Sequence, residues 1–261
     1  MNQQHHKVIG RLCGTLAVLG RNLRVWRRFF LASAIGDLAE PILYLVGLGY
    51  GLGGLVTDVH GMSYVRFIAP GLVVTATLYS ASFEATYGTF TRMVPQKTFE
   101  GVLGTPIGVG EILMGEILYA TIKAFVAGCA VLLVVTALGL VDAQTAAWVP
   151  VLCMVSGLVF SAMAVLMTCL SPSYDFFNYY FTLVVTPMVL FSGIFFPLDQ
   201  LPTWAQSMAL VSPLTHAASI SHALFNGVMS RDLWIHGVFL IGAAIVPIYP
   251  AMLTMRTRLI K

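Results

Sequence analysis

The sequence predicts an all-α integral membrane protein, and three observations carry that prediction. Of 261 residues, 58% are hydrophobic and only 10% are charged, where soluble domains carry about a quarter charged residues. The mean hydropathy is +0.86. The few charges are also placed so that they leave long gaps, from Pro41 to Thr57, Phe67 to Phe83, Ala124 to Val141, Ala143 to Tyr174, Phe176 to Leu198 and Leu233 to Met255. A spanning helix needs about 20 mostly apolar residues. The pattern therefore predicts six spans, near 30 to 52, 65 to 88, 111 to 139, 147 to 170, 176 to 196 and 233 to 254.

Ahead of the first span, Leu12, Leu16, Leu19, Leu23, Trp26 and Phe30 recur at alternating spacings of four and three, which puts them on one narrow stripe of a helix. Arg21, Arg24 and Arg28 fall on the opposite side. Such a helix, over residues 7 to 30, fits the headgroup plane of an anionic leaflet; a soluble coiled-coil stripe is the competing reading. Its apolar residues are not contiguous, so no cleavable signal peptide is evident. In the first span, LVGLGYGLGG (45 to 54) sets Gly47 with Gly51 and Gly49 with Gly53 at the spacing that lets helices approach closely, within the chain or in a dimer.

Spans two and three are joined by the one sizeable loop on their side, residues 91 to 110, which is too short to be a domain. Gln96 to Leu103 can make about two helical turns, started after Pro95 and ended by Gly104 and Pro106. A short helix carrying Lys97, Phe99, Glu100 and Leu103 can plug a groove on a partner; a plain solvated connector is the alternative. Beyond span five, Gln200 to Ser230 is uncharged, but it holds Pro202, Pro213, His216, His222 and Asn226. It is expected to be re-entrant or interfacial, with protein or trapped water supplying hydrogen bonds to non-helical backbone.

Lys and Arg favour cytoplasmic loops. With six spans, one side collects Lys7, Arg11, Arg21, Arg24, Arg27, Arg28, Arg92, Lys97, Arg256, Arg258 and Lys261, while the other holds Arg66 and Arg231, and Lys123 stays inside a span. Both termini are therefore expected in the cytoplasm.

The chemistry points away from catalysis. A phosphate-binding loop ends in Gly-Lys-Ser/Thr, and the dipeptide Gly-Lys occurs nowhere in the chain. Metalloprotease and nucleophile-elbow patterns are also missing, and the histidines at 5, 6, 60, 216, 222 and 236 are scattered. Cys13, Cys129, Cys153 and Cys169 have no metal-ligand spacing and read as small packing residues. No catalytic residue, metal or bound cofactor is expected of this chain, nor a nucleic-acid partner.

Charges within apolar segments remain, and these are costly enough to be informative. Asp37, Glu40 and Glu111 belong near span ends, as anchors or with a role of their own. Glu116 and Lys123 are seven residues apart, two turns along one helix face, and Glu84 falls at comparable depth in span two. An interhelical ion pair involving Lys123 is expected, structural rather than a proton relay. Phe176, Phe177, Tyr179, Tyr180 and Phe181 read as an interfacial aromatic belt, with the rim of an amphiphile-binding cavity as the alternative.

Several stretches carry a family resemblance: EPILYLVGLGYGLG (40 to 53), FEATYGTFTRM (83 to 93), QKTFEGVLGTPI (96 to 107), GEILMGEILYATIKA (110 to 124), SPSYDFFNYYFTLVVTPMVLFSGIFFPLDQLP (171 to 202) and SPLTH (212 to 216). They spread over most of the chain, which resembles an ABC-2-type permease and, within that group, is similar to the NodJ lipo-oligosaccharide exporter branch.

The resemblance implies one transmembrane domain over residues 1 to 261, with an N-terminal interfacial helix, a coupling helix in the 91 to 110 loop and a re-entrant outer segment over 197 to 232. It further implies two copies forming the path and two copies of an ATPase similar to NodI holding the ATP and Mg. By the same analogy Gln96, Lys97, Thr98, Phe99, Glu100 and Leu103 contact the ATPase, and Gly193, Phe195, Phe196, Pro197 and Leu201 begin an outer gate. The implied cargo is an amphiphile such as a lipo-oligosaccharide or glycolipid. Drug or antibiotic efflux by the same architecture is the nearest alternative. An ion-coupled secondary transporter is the more distant one, for which inverted repeats and a ring of pore charges are not evident.

Overall fold

The computed structural model describes residues 2–55, 59, 61–141, 147–227 and 232–260, with side chains from Leu12 onward. Thr57, His60, Ser230, Arg231 and Lys261 lie outside the described residues, as do the side chains of His5, His6, Lys7 and Arg11. The described residues are helical apart from short connections and an isolated bridge between Val59 and Met62.

Helix α1 (Asn2–Arg28) precedes the first long apolar helix, α2 (Phe30–Gly54). Then follow α3 (Tyr64–Met93), the short α4 (Thr98–Leu103), α5 (Val109–Ala137) and α6 (Val149–Leu170). The shorter apolar α7 (Asp175–Phe191) leads to α8 (Thr203–Val211) and α9 (Pro213–Asn226), and α10 (Leu233–Leu259) ends the chain. Five of these helices, α2, α3, α5, α6 and α10, are long and apolar enough to cross a membrane.

Helix α3 is the buried centre, packed by α5, α6, α9 and α2. Its sequence explains this, because from Ala69 to Gly88 it is rich in Ala, Gly, Ser and Thr, whose small side chains let neighbours approach. A Cβ on Gly128 of α5 would strike Thr77 Oγ1 and Cys153 Sγ, so α3, α5 and α6 converge at one close crossing. Buried hydroxyls fold back on their own helix, with Thr75 Oγ1 donating to Gly71 O at 2.8 Å and Thr77 Oγ1 to Val73 O at 3.0 Å. Ser221 Oγ of α9 donates to Pro70 O at 2.8 Å, tying the segment beyond α7 to the centre.

The structure corrects several sequence boundaries. Helix α3 runs five residues past the expected end, so Thr91 and Arg92 belong to the helix and not to the loop. Arg92 can continue an apolar helix because two carboxylates neutralise it. Helix α7 stops at Phe191, where the chain turns irregular through Gly193 at φ +78°. The segment after Gln200 is two helices hinged at Ser212.

Most of the aromatic cluster of α7 packs inward instead of standing out from the bundle as a belt would. Phe177 and Tyr180 are buried, Phe181 stacks on Phe83 of α3 at 4.5 Å, and within that cluster Tyr179 turns outward, 64% exposed. Packing won because α7 leans on the aromatic side of α3, where Tyr87 meets Phe177 edge-on at 5.1 Å. The glycine pairs of α2 also divide, with Gly49 and Gly53 against Val65 of α3, while Gly47 and Gly51 face open space.

Candidate functional site

The charged residues expected to matter and the 96 to 103 segment gather toward the end of the bundle where α1, the ends of α3 and α10, and the start of α5 meet. At this end Arg258 of α10 donates to Thr168 O and Cys169 O at 3.1 Å each, capping the last carbonyls of α6. Thr91 Oγ1 and Tyr174 Oη, 2.7 Å apart, join α3 to the start of α7.

Helix α1 presents Gly14, Val18 and Asn22 to α5, a set the leucine stripe did not reveal. A Cβ on Gly115 of α5 would lie 2.7 Å from Val18, and one on Gly14 would lie 3.0 Å from Glu111 Cγ. At Gly115 only glycine permits the approach, and at Gly14 a side chain would press on Glu111. Only the ends of the stripe turn away from the bundle, with Leu12 and Leu16 each 59% exposed and Phe30 also exposed, while Leu19, Leu23 and Trp26 are half-buried. Arg24 and Arg28 are exposed, but Arg21 turns inward and donates to Asn22 Oδ1 at 2.8 Å. Burial pulls the Arg21 guanidinium below its ordinary value, opposed by the Glu116 carboxylate.

Asn22 opens onto a buried ionic network. Its Nδ2 donates to Glu116 Oε1 at 2.9 Å, Thr89 Oγ1 donates to Glu116 Oε2 at 3.1 Å, and Arg92 Nε reaches the same oxygen at 3.0 Å. Glu116 is 0% exposed. Arg92 Nη1 also lies 2.9 Å from Glu84 Oε1, and Glu84 Oε2 lies 3.1 Å from Lys123 Nζ. Glu116 and Lys123 thus share a face of α5 without pairing with each other: α3 supplies a cation for one and an anion for the other. A charge this deep is tolerated only when paired and hydrogen-bonded.

Local backbone makes this arrangement possible. Residues Glu84–Gly88 form a π-helical turn, a widening often found at functional sites. Thr168 Oγ1 of α6 donates to Ala85 O at 2.6 Å within that turn. The Glu84 carboxylate folds back over Gly88, where any Cβ would collide with it. Arg92 could not meet Glu84 past a larger residue.

Beside the network lies a cavity of about 660 Å³ walled by Val25 and Trp26 of α1, Phe29 just after it, Tyr87 and Arg92 of α3, Tyr119 and Lys123 of α5, and by Gln96 and Thr98. The loop before α4 therefore shapes the same cavity that the network floors.

In the connection between α3 and α5, α4 begins at Thr98 and Lys97 precedes it in the left-handed region, at φ 50°. Phe99 is 1% exposed, packed into the chain's own core, so it cannot plug a groove on a partner. Six residues of helix have one apolar side, and the bundle takes it. Gln96, Lys97 and Glu100 are exposed, Thr98 and Leu103 partly so.

At the opposite end, Gly193, Phe195, Phe196, Pro197 and Leu201 line an irregular strap. Tyr64 Oη donates to Phe195 O at 3.2 Å, the Tyr44 and Phe195 rings meet edge-on at 5.6 Å, and Gln206 Nε2 donates to Leu201 O at 2.8 Å. Phe196 is exposed. Ile194, fully buried, is the residue the sequence reading omitted, and it fills the space where Gly71 of α3 lacks a side chain. The histidines are not all scattered either: His216 and His236 Nδ1 atoms lie 2.7 Å apart, joining α9 to α10, and the His216 ring stacks on Phe239 at 3.9 Å. Their separation by 20 residues and two helices hid them.

Comparison with known proteins agrees with this architecture. The family model described as ABC-2 type transporter matches residues 14–225. The chain is 37% identical over 244 residues to Nodulation protein J of Rhizobium meliloti (strain 1021), covering 94% of this chain and 93% of that protein. It is 38% identical over 246 residues to Nodulation protein J of Rhizobium leguminosarum bv. trifolii, covering 94% of each. A more distant relative, Inner membrane transport permease YadH of Escherichia coli (strain K12), is 24% identical over 207 residues, covering 78% of this chain and 79% of that protein. With a family match from α1 to α9 and relatives of this identity over nearly its whole length, the chain belongs to the ABC-2 type transporter family, as a membrane transport subunit that associates with an ATPase and is not itself an enzyme.

Proposed function

We propose that this chain is the permease subunit of an ATP-binding cassette exporter in the bacterial inner membrane, moving an amphiphilic cargo such as a lipo-oligosaccharide or glycolipid. Two copies form the path, and a separate ATPase similar to NodI binds the ATP and Mg. The observation that carries this reading is the 37% and 38% identity to the two Nodulation protein J sequences, each over 94% of this chain. In this reading α7 is the fifth span and α10 the sixth, α8 and α9 between them form the re-entrant outer segment, and both termini are cytoplasmic. The end holding Lys97, Arg256 and Arg258 then faces the cytoplasm, as the lysine and arginine bias favours.

The exposed positions Gln96, Lys97 and Glu100 meet the ATPase, while buried Phe99 fixes α4 to the bundle. Because α4 follows the end of α3 after a four-residue connection, movement of α4 is passed through Arg92, in the last turn of α3, to Glu116 and Asn22, and so to α1. The cavity walled by Gln96 and Thr98 changes shape with that movement. Glu84, Glu111, Glu116 and Lys123 hold this machinery together instead of relaying protons. The strap from Gly193 to Leu201 forms the outer gate, latched by Ile194 against Gly71.

The test is purification with and without a co-expressed ABC ATPase encoded beside this chain, followed by vanadate-sensitive ATP hydrolysis. A stable complex whose activity needs both chains supports the exporter. A lone chain that binds no ATPase, yet moves ions or solutes in liposomes, overturns it in favour of a secondary transporter. A resistance phenotype tied to ATP-dependent drug efflux, with no glycolipid transported, would favour the drug-export alternative.

A further inference from the structure

The cavity beside the ionic network is rich in hydrogen-bond donors. Its carboxylate, Glu84, accepts from Lys123 at Oε2 and forms an ion pair with Arg92 through Oε1, which has no hydrogen bond of its own, while the neighbouring Glu116 accepts from Arg92, Asn22 and Thr89. The nearest further acid, Asp37 of α2, accepts from Ser33 at 3.4 Å. Donors remain on the cavity wall. Among the described residues, the buried Trp26 indole N–H has no acceptor, and Arg21 directs Nε and Nη2 at the single oxygen of Asn22. A guanidinium offers five N–H groups and an ammonium three, so Arg21 and Lys123 keep capacity to spare.

An oxyanion satisfies several such donors at once with charge-assisted bonds. The rim is of the opposite character: Val25 and Phe29 are exposed apolar side chains on the α1 side of the cavity. Donors within and apolar residues at the lip describe an amphiphile.

We propose that this cavity holds the oxyanion of an amphiphile's headgroup, a phosphate, sulfate or carboxylate, between Arg21, Trp26 and Lys123, with the chain leaving over Val25 and Phe29 into the leaflet where α1 lies. The inference rests on the exporter reading only for which leaflet that is. Transported cargo and a resident anionic lipid share this chemistry.

The experiment uses the full chain in nanodiscs, in complex with its ATPase. Native mass spectrometry compares retention of phosphatidylglycerol with that of phosphatidylcholine of matched chains, for wild type, Arg21→Gln and Trp26→Phe. Trp26→Phe keeps an aromatic ring against Phe30, 5.0 Å away, and removes only the N–H. Wild type is expected to prefer phosphatidylglycerol by about tenfold and each variant to lose most of that preference, the size of one charge-assisted bond. Equal retention of the two lipids by wild type, or an undiminished preference in both variants, overturns the proposal. Inorganic phosphate that competes as well as the lipid, with no dependence on the chain, overturns its amphiphile part. Labelled phosphatidylglycerol that changes leaflet during ATP turnover is cargo; lipid that stays bound is resident. Complex formation and ATP hydrolysis, read in the same samples, report on the exporter reading separately.

Discussion

Arg92 Nε lies 3.0 Å from Glu116 Oε2, joining the last turn of α3 to the second turn of α5 at a carboxylate with no solvent exposure. Since Asn22 of α1 donates to the same carboxylate, one side chain fixes three helices. Breaking a buried pair by removing one partner costs about 3 to 5 kcal/mol, because the other charge is left behind. Arg92→Ala is therefore expected to lower the melting temperature of the purified chain sharply and reduce its yield. Asn22→Ala removes only a neutral donor to a charge, at about 1.5 to 3 kcal/mol. A thermal-melt series in which Asn22→Ala is the more damaging would reject this ranking.

Phe99 and Glu100 are adjacent yet should fail differently. Truncating a buried Phe to Ala costs about 3 to 5 kcal/mol, so Phe99→Ala is expected to lower stability and, with it, everything downstream. Glu100 is exposed, and Glu100→Ala is expected to leave the melting curve unchanged within about 0.5 kcal/mol while weakening ATPase association or stimulation. Normal association and ATP-driven transport in both Glu100→Ala and Lys97→Ala would remove these positions from the contact.

Gly115 gauges how tightly α1 is held. Its substitution by Val forces Val18 away from a contact already closed at 2.7 Å from a mere Cβ. Overpacking of this kind costs about 1 to 3 kcal/mol, and here it is expected to loosen α1, read as faster proteolysis between Arg21 and Arg28 in membranes. Unchanged protease protection would mean that α1 is held by other contacts.

Gly88 should behave as part of the charge network despite having no side chain. Gly88→Ala places a methyl where the Glu84 carboxylate lies, so Glu84 must leave Arg92, and the expected loss resembles that of Glu84→Gln. Measured together, the two changes should be strongly non-additive, as for residues sharing one interaction. Additive effects would show that Gly88 matters for some other reason.

Gly193 sits at φ +78° with Leu198 Cγ 2.9 Å from the site of a Cβ. A left-handed residue with a side chain costs about 1 to 2 kcal/mol in backbone strain, and the contact adds to this. Gly193→Ala is expected to shift the strap and increase labelling of a cysteine placed at Phe196. Gly61→Ala, with the same sign of φ and open space around it, is the control, in which only the strain should be felt.

Much of this protein was legible before any coordinate. Charge-free stretches mark the long apolar helices, because crossing a bilayer demands a length of apolar sequence, and that is a property of the chain alone. The lone Lys123 and Glu84 were conspicuous for the same reason. Pro95 and Gly104 bracketed a short helix, though its capping residue Lys97 and the inward turn of Phe99 were not readable, since an isolated two-turn segment does not say which side its neighbour occupies.

The tertiary structure alone decided which charges meet. Glu116 and Lys123, seven residues apart on one face, take separate partners on α3, because a π-helical turn and a glycine at 88 bring Glu84 and Arg92 to opposite-signed groups on α5. Arg92 looked like loop because sequence separates it from its carboxylates by 8 and 24 residues and shows neither helix rotation nor depth. His216 with His236, and Ile194 with Gly71, were hidden in the same way. Apolar length is local and additive along the chain, whereas pairing depends on which helix faces are packed together, and that exists only once the bundle has closed.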